Sequence, residues 1–87
     1  MITRQTVIAK LLSYLNGEIN LVSLVKWGEQ SCVNGRFHPY EDADILVEIV
    51  TYVAEADRPY NPLTWEVIIE MFARLGAPVR VVPLDTL

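Results

Sequence analysis

The sequence has few of the residues that mark several large classes of protein. Among its 87 residues there is one cysteine, Cys32, so no internal disulfide can form and nothing indicates an oxidising compartment. The seven basic residues are scattered, whereas nucleic acids and anionic membranes are bound by clusters of Lys and Arg. The apolar runs are too short to cross a bilayer, and no small-residue cleavage site follows the N-terminal apolar stretch. We therefore expect a cytoplasmic protein with neither nucleic-acid nor membrane partners.

Residues that carry chemistry are also scarce. The four glycines are isolated, which excludes a Gly-rich phosphate loop. Zinc normally takes three or four nitrogen or sulfur ligands at paired spacings, and one His with one Cys does not supply them. A nucleophile–base pair of Cys32 and His38 has no recognisable orienting group or oxyanion site. We predict no metal, no cofactor and no catalytic residue; the alternative is a metal-binding or cysteine-dependent enzyme domain around Cys32, His38 and Asp42.

What the chain does have is apolar content and a mild negative charge. Hydrophobic residues make up 52% and charged residues 21%, values typical of a compact fold, and the net charge is −4. A chain of this length forms one domain, residues 1–87, with a small core. Part of the apolar surplus is then expected at the surface, as in protein–protein interfaces. A basic protein is the electrostatically natural partner.

Helical periodicity is clear in the first third of the chain. Thr3 can cap a helix over Arg4–Leu15, whose apolar residues recur every three or four positions. Asn20 can cap a second helix that ends near Gln30 and folds back on the first. Asn34-Gly35 then favours a helix-ending loop, although a minor hairpin over residues 32–37 is an alternative.

Two further helices follow the same period. The third has Pro39 in its first turn and ends at Arg58-Pro59. The fourth is capped by Thr64, has Trp65 on its buried face and is closed by Gly76. Val79–Val82 is rich in β-branched residues and predicts a strand. The predicted fold is mainly α: four short amphipathic helices in a compact orthogonal bundle with a short C-terminal β-strand.

An acidic stripe lies opposite the apolar face of the third helix. Its members are Glu41, Asp44, Glu48 and Glu55. Such a stripe is commonly a solvated helix face. Its functional interpretation is a surface that attracts a basic partner, with Asp44, Glu48 and Glu55 as binding residues. Trp27 and Trp65 are large enough to serve as binding anchors, but in so small a domain we assign both to the core.

The two ends of the chain, ITRQTVIAKLLSYLNGEI and LTWEVIIEMFARLGAPVRVV, resemble small uncharacterised bacterial helical domains. Some chains of this general kind are immunity or antitoxin-like proteins. The resemblance is one of pattern and implies no defined site residues. It favours a bacterial interaction protein.

The leading hypothesis is therefore a non-enzymatic domain that binds another protein. Besides the acidic stripe, it uses Val79, Arg80 and Val81, because a lone strand must pair with something. The strand can join residues 32–33 or 36–37, pair with its own copy in a homodimer, or extend the sheet of another protein. We favour self-association, because it would also cover surplus apolar surface.

We expect the intact chain to be a dimer and Val81→Pro to be a folded monomer. Proline removes the backbone N–H donor that strand pairing through this residue needs. Absolute mass by light scattering over a concentration series tests this. If both chains are monomers, the strand instead pairs internally or awaits a foreign partner.

Overall fold

The computed structural model describes residues 1–78, which fold into a compact and mainly helical structure, as predicted. The helices of this part of the chain are α1 (Arg4–Leu15), α2 (Leu21–Asn34), α3 (Ala43–Ala54) and α4 (Trp65–Arg74). A 3-10 turn, Tyr40–Asp42, precedes α3. The predicted strand Val79–Val82 lies outside the described residues.

The helix starts follow the predicted caps. At α1, the Thr6 amide donates to Thr3 Oγ1 and the Thr3 amide donates to Thr6 Oγ1, which together form a capping box. Asn20 accepts from the Ser23 amide at α2, and Thr64 accepts from the Val67 amide at α4. These bonds satisfy amides that have no partner inside their own helix. The predicted range Arg4–Leu15 for the first helix is confirmed.

The second helix is longer than predicted. It continues past Gln30 to Asn34, so Cys32 and Val33 are helical and the alternative of a hairpin over residues 32–37 is wrong. The Gly35 amide still donates to the Ser31 carbonyl, and Gly35 itself is extended, which ends the helix. The cause of the longer helix is tertiary: its last turns are held against α3 on one side and the N-terminal segment on the other.

Residues 36–38 pair with the start of the chain. The Ile2 amide donates to the Arg36 carbonyl at 2.6 Å, and the His38 amide donates to the Ile2 carbonyl at 2.9 Å. This parallel bridge between Ile2 and Phe37 gives the backbone of the segment a partner that a local hairpin would have had to supply. Ile2 is buried as a result.

The third helix is shorter than predicted at both ends. Pro39 precedes the 3-10 turn and is not part of the α-helix, and the His38–Pro39 peptide bond is cis. The helix ends at Ala54, and successive turns lead from there to Asn61. Val47, assigned to the apolar face, is 44% exposed because it lies at the edge of that face.

The core draws on the N-terminal segment and on all four helices of the described chain. Its buried members are Ile2, Val7, Leu11, Leu24, Leu46, Ile49, Val50, Val53, Ile68, Met71, Phe72 and Leu75. Gly17 and Gly76 have positive φ values of 76° and 80° just after α1 and α4, where the helix-ending glycines were predicted. Within residues 1–78 no helix is both long enough and apolar enough to span a membrane.

The backbones of α2 and α3 approach each other closely at Gly28. A Cβ atom added to Gly28 would lie 2.8 Å from the Ala54 backbone nitrogen and 3.2 Å from Val53 Cγ1. No rotamer change can relieve a collision with backbone. The sequence placed this glycine near a helix end, whereas it lies inside α2 at the contact.

Gly28→Ala is therefore expected to lower the free energy of unfolding by about 1–2 kcal/mol. Overpacking costs about 1–3 kcal/mol, and the better helix propensity of alanine offsets up to about 1 kcal/mol of this. Urea unfolding followed by circular dichroism measures the difference. Glu29→Ala, one residue away on the exposed side, is the control and should stay within about 0.5 kcal/mol of wild type. A Gly28→Ala protein as stable as wild type would contradict the close contact.

Candidate interaction surface on α3 and α4

The acidic stripe occupies the outward side of α3. Asp44 and Glu48 are exposed, and Glu55, just after the helix, is half-buried. Their exposure follows from the helical period, because the opposite side of α3 is buried in the core. Glu41, the fourth member of the stripe, is exposed in the 3-10 turn and so precedes the α-helix proper.

Glu48 is paired with a base from a different helix. The Arg74 guanidinium donates to Glu48 Oε2 at 2.9 Å, although Glu70, four residues before Arg74 on the same helix, is the partner that the sequence spacing favours. This hydrogen bond, together with the positive charge, holds the pKa of Glu48 below its usual value. Sequence spacing relates residues within one helix. Arg74 lies on the side of α4 that faces α3, so it reaches an acid of a different helix.

A groove of about 200 Å³ separates α3 from α4. Its lining is apolar at the bottom and charged at the edges: Ile49, Val67 and Met71, then Glu48, Glu70 and Arg74. Ile49 and Met71 are buried, while the two glutamates are exposed. The helical period explains why Met71 is buried and Glu70 is exposed, but the sequence contains no signal for a gap between the two helices.

One wall of the groove is fixed by Tyr52. Its hydroxyl donates to the Pro62 carbonyl, and Asn61 Nδ2 donates to the Tyr52 carbonyl at 2.9 Å. Tyr52, near the end of α3, contacts the loop before α4, while Glu48, earlier on α3, meets Arg74 at the end of α4, so the two helices run in opposite directions along the groove. The loop with two prolines thus holds the entry to α4 against the end of α3.

Arg4 joins the turn before α3 to the end of α4. Its guanidinium donates to Asp42 Oδ1 at 2.9 Å and to the Arg74 carbonyl at 3.2 Å. The first bond reaches the turn before α3 and the second reaches the last turn of α4, where carbonyls have no partner inside the helix. The side chains are 31% exposed for Arg4 and 17% for Asp42. The hydrogen bond from Arg4 lowers the pKa of Asp42, and the partial burial of the carboxyl opposes this only in part.

The residues of the alternative enzyme hypothesis are dispersed. Cys32 is exposed on α2, with its Sγ 3.9 Å from Thr51 Oγ1. His38 is exposed and precedes the 3-10 turn, so it does not share a helix face with Asp42, which is bonded to Arg4. In the described part of the chain, no three His, Cys, Asp or Glu side chains are grouped so that they could hold a metal ion.

The aromatic anchors differ in their surroundings. Trp27 is half-buried against the core, and Lys10 Nζ lies 6.0 Å from the centroid of its ring. Trp65 is 40% exposed, so its assignment to the core is wrong. It is the first residue of α4, and its side chain therefore lies at the edge of the packed surface.

The Arg4–Asp42 pair predicts a pH-dependent contribution to stability. Because the folded-state pKa of Asp42 is lowered, the contribution is fully present above the unfolded value of about 3.9 and is lost as the pH falls through the folded value. Asp42→Asn should therefore lower the urea midpoint at neutral pH, and its difference from wild type should narrow below about pH 4. Glu29→Gln, an exposed carboxylate on α2, is the matched control. A difference that persists unchanged in acid would contradict the assignment.

Comparisons of the chain with models of known protein families, with curated proteins and with solved structures find no match.

Proposed function

We propose that this protein is a non-enzymatic interaction domain that binds a protein partner with a basic surface. The supporting observation is the exposed acidic side of α3, which lies directly beside an apolar groove. Carboxylates at the edge of an apolar surface are the arrangement that guides a basic partner and then holds it. Asp44, Glu48 and Glu55 are the proposed contact residues.

The charge balance of this surface supports a basic partner. Arg74 compensates Glu48, whereas Asp44 and Glu55 have no ion-pair partner within residues 1–78. Exposed carboxylates without compensating bases raise the association rate with a cationic partner and repel an anionic one. The effect weakens with salt, because the Debye length falls to about 8 Å at physiological ionic strength.

Val79, Arg80 and Val81 are a second proposed contact, and this part of the proposal rests on the sequence. Alternating β-branched residues suit a strand that pairs across a two-fold axis or along the edge of another sheet. A homodimer formed in this way is compatible with a foreign partner on α3, because the two contacts use different residues.

The resemblance of the chain ends to bacterial immunity and antitoxin-like domains suggests the role. A small acidic domain of this kind would neutralise or regulate a basic protein in the cytoplasm. The alternative, an enzyme or metal site around Cys32, His38 and Asp42, is less well supported, because the Asp42 carboxylate is already bonded to Arg4.

Charge reversal on α3 tests the proposal. The double variant Asp44→Lys with Glu55→Lys should abolish or strongly weaken capture of the partner from an extract of the source cells. For the wild-type protein, the amount of captured partner should decrease progressively as the salt concentration rises. Both substitutions leave the Glu48–Arg74 pair intact. Immobilised protein and quantitative mass spectrometry provide the readout.

The control carries the same change in net charge elsewhere. Glu18→Lys with Glu29→Lys alters two exposed acids that lie outside α3, and it should retain the partner. Partner capture that does not depend on salt would count against a contact through α3. An equal loss of capture in both double variants would also count against it.

A further inference from the structure

The groove between α3 and α4 is too small for a typical small-molecule site. Such sites usually enclose about 300–1,000 Å³, compared with about 200 Å³ here. A volume of this size accommodates a few apolar side chains of a larger molecule. Its bottom is suited to this, because Met71 has a flexible thioether side chain that adapts to irregular partners.

Each wall of the groove has one lining acid, Glu48 on α3 and Glu70 on α4, and a second acid one helical turn away from it. Asp44 lies one turn before Glu48 on α3, and Glu66 lies one turn before Glu70 on α4; all four are exposed. Among residues 1–78, Arg74 is the base at this groove, and it is bonded to Glu48. Counting these four carboxylates against one guanidinium, the groove and its immediate rims carry net negative charge, which selects an occupant with cationic side chains flanking an apolar stripe.

The backbone of the walls excludes strand addition at this place. A peptide strand binds by main-chain hydrogen bonds to an exposed sheet edge, and both walls here are α-helices whose backbone groups bond within the helix. An amphipathic helix needs no such edge. It inserts side chains at i, i+3, i+4 and i+7 between two existing helices. The walls are long enough, since the 12 residues of α3 extend about 18 Å.

We propose that the α3–α4 groove binds an amphipathic helix of the partner, with apolar side chains over Ile49, Val67 and Met71 and Lys or Arg side chains against the acidic rims. This inference rests on the proposed function and specifies the chemistry of its partner. Occupation of the groove by a second copy of this chain is the outcome that would contradict it.

The probe is a synthetic peptide of about 18 residues, since shorter isolated helices are barely populated in water. It has Leu at i, i+3, i+4 and i+7 spacing and Lys elsewhere, and a fluorescent label reports binding by anisotropy. Glu70→Gln should weaken binding about two- to fivefold, and Val67→Lys should weaken it about tenfold or more. Amide shifts of Ile49, Tyr52 and Val67 in the NMR spectrum should move on titration of wild type.

The matched controls make the same chemical changes on α2. Glu29→Gln and Val22→Lys alter exposed residues away from the groove and should leave the affinity unchanged. A scrambled peptide of equal composition, which lacks the apolar stripe, should bind much more weakly. Circular dichroism verifies that each variant is folded. If Val67→Lys does not fold, the affinity of Glu70→Gln and the NMR map of the peptide site complete the test.

Three results would overturn the inference. The first is absence of binding by the striped peptide, and the second is equal binding of the scrambled peptide, which would indicate charge attraction alone. The third is a dimer that Val67→Lys dissociates, because it would assign the groove to a second copy. These results leave the proposed function standing if partner capture still depends on Asp44 and Glu55. Conversely, the peptide could bind in the groove while partner capture does not depend on Asp44 and Glu55. That result would refute the proposed α3 contact and leave the groove proposal standing.

Discussion

The guanidinium of Arg4 sets the position of the two helices that form the candidate surface. It is bonded both to the turn that starts α3 and to the carbonyl of Arg74 at the end of α4. Arg74 in turn extends its own side chain back to Glu48 on α3. The distance between α3 and α4 at this end is thus determined by polar contacts, and apolar packing forms the bottom of the groove between them.

The two sides of α3 pack differently against their neighbouring helices. On one side, Gly28 lets the backbone of α2 approach that of α3 until no added side-chain atom would fit. On the other side, α4 is held by the Glu48–Arg74 ion pair, by the hydrogen bond from Arg4 to the Arg74 carbonyl and by Tyr52, and the groove stays open to solvent. Close packing supplies rigidity where α3 meets α2, and the same helix offers apolar surface with acidic edges where it meets α4. The close contact with α2 thus fixes the position of α3, which forms one wall of the groove.

Local signals in the sequence predicted the starts of α1, α2 and α4 well, but not that of α3. Thr3, Asn20 and Thr64 act within their own first turns, so their role as caps needs no knowledge of the fold. The exposure of Asp44 and Glu48 likewise follows from the period of one helix. What depends on other elements could not be predicted: the extension of α2 to Asn34, the partner of Arg74, and the exposure of Trp65 at the edge of α4. The groove belongs to this group, since the spacing between two helices is a tertiary property.

The bond from Arg4 to the Arg74 carbonyl joins residues that are 70 positions apart in the chain. Closing a loop of that length costs entropy that a local helical turn does not, so we expect this contact to form late in folding. A contact that is costly to form is also expected to break readily when the native state fluctuates. The last turn of α4 should open more often than the contact of α2 with α3, and its amides should exchange with solvent faster. The region of the fold that detaches first is then the wall of the groove, where a bound partner would suppress the motion and increase hydrogen-exchange protection.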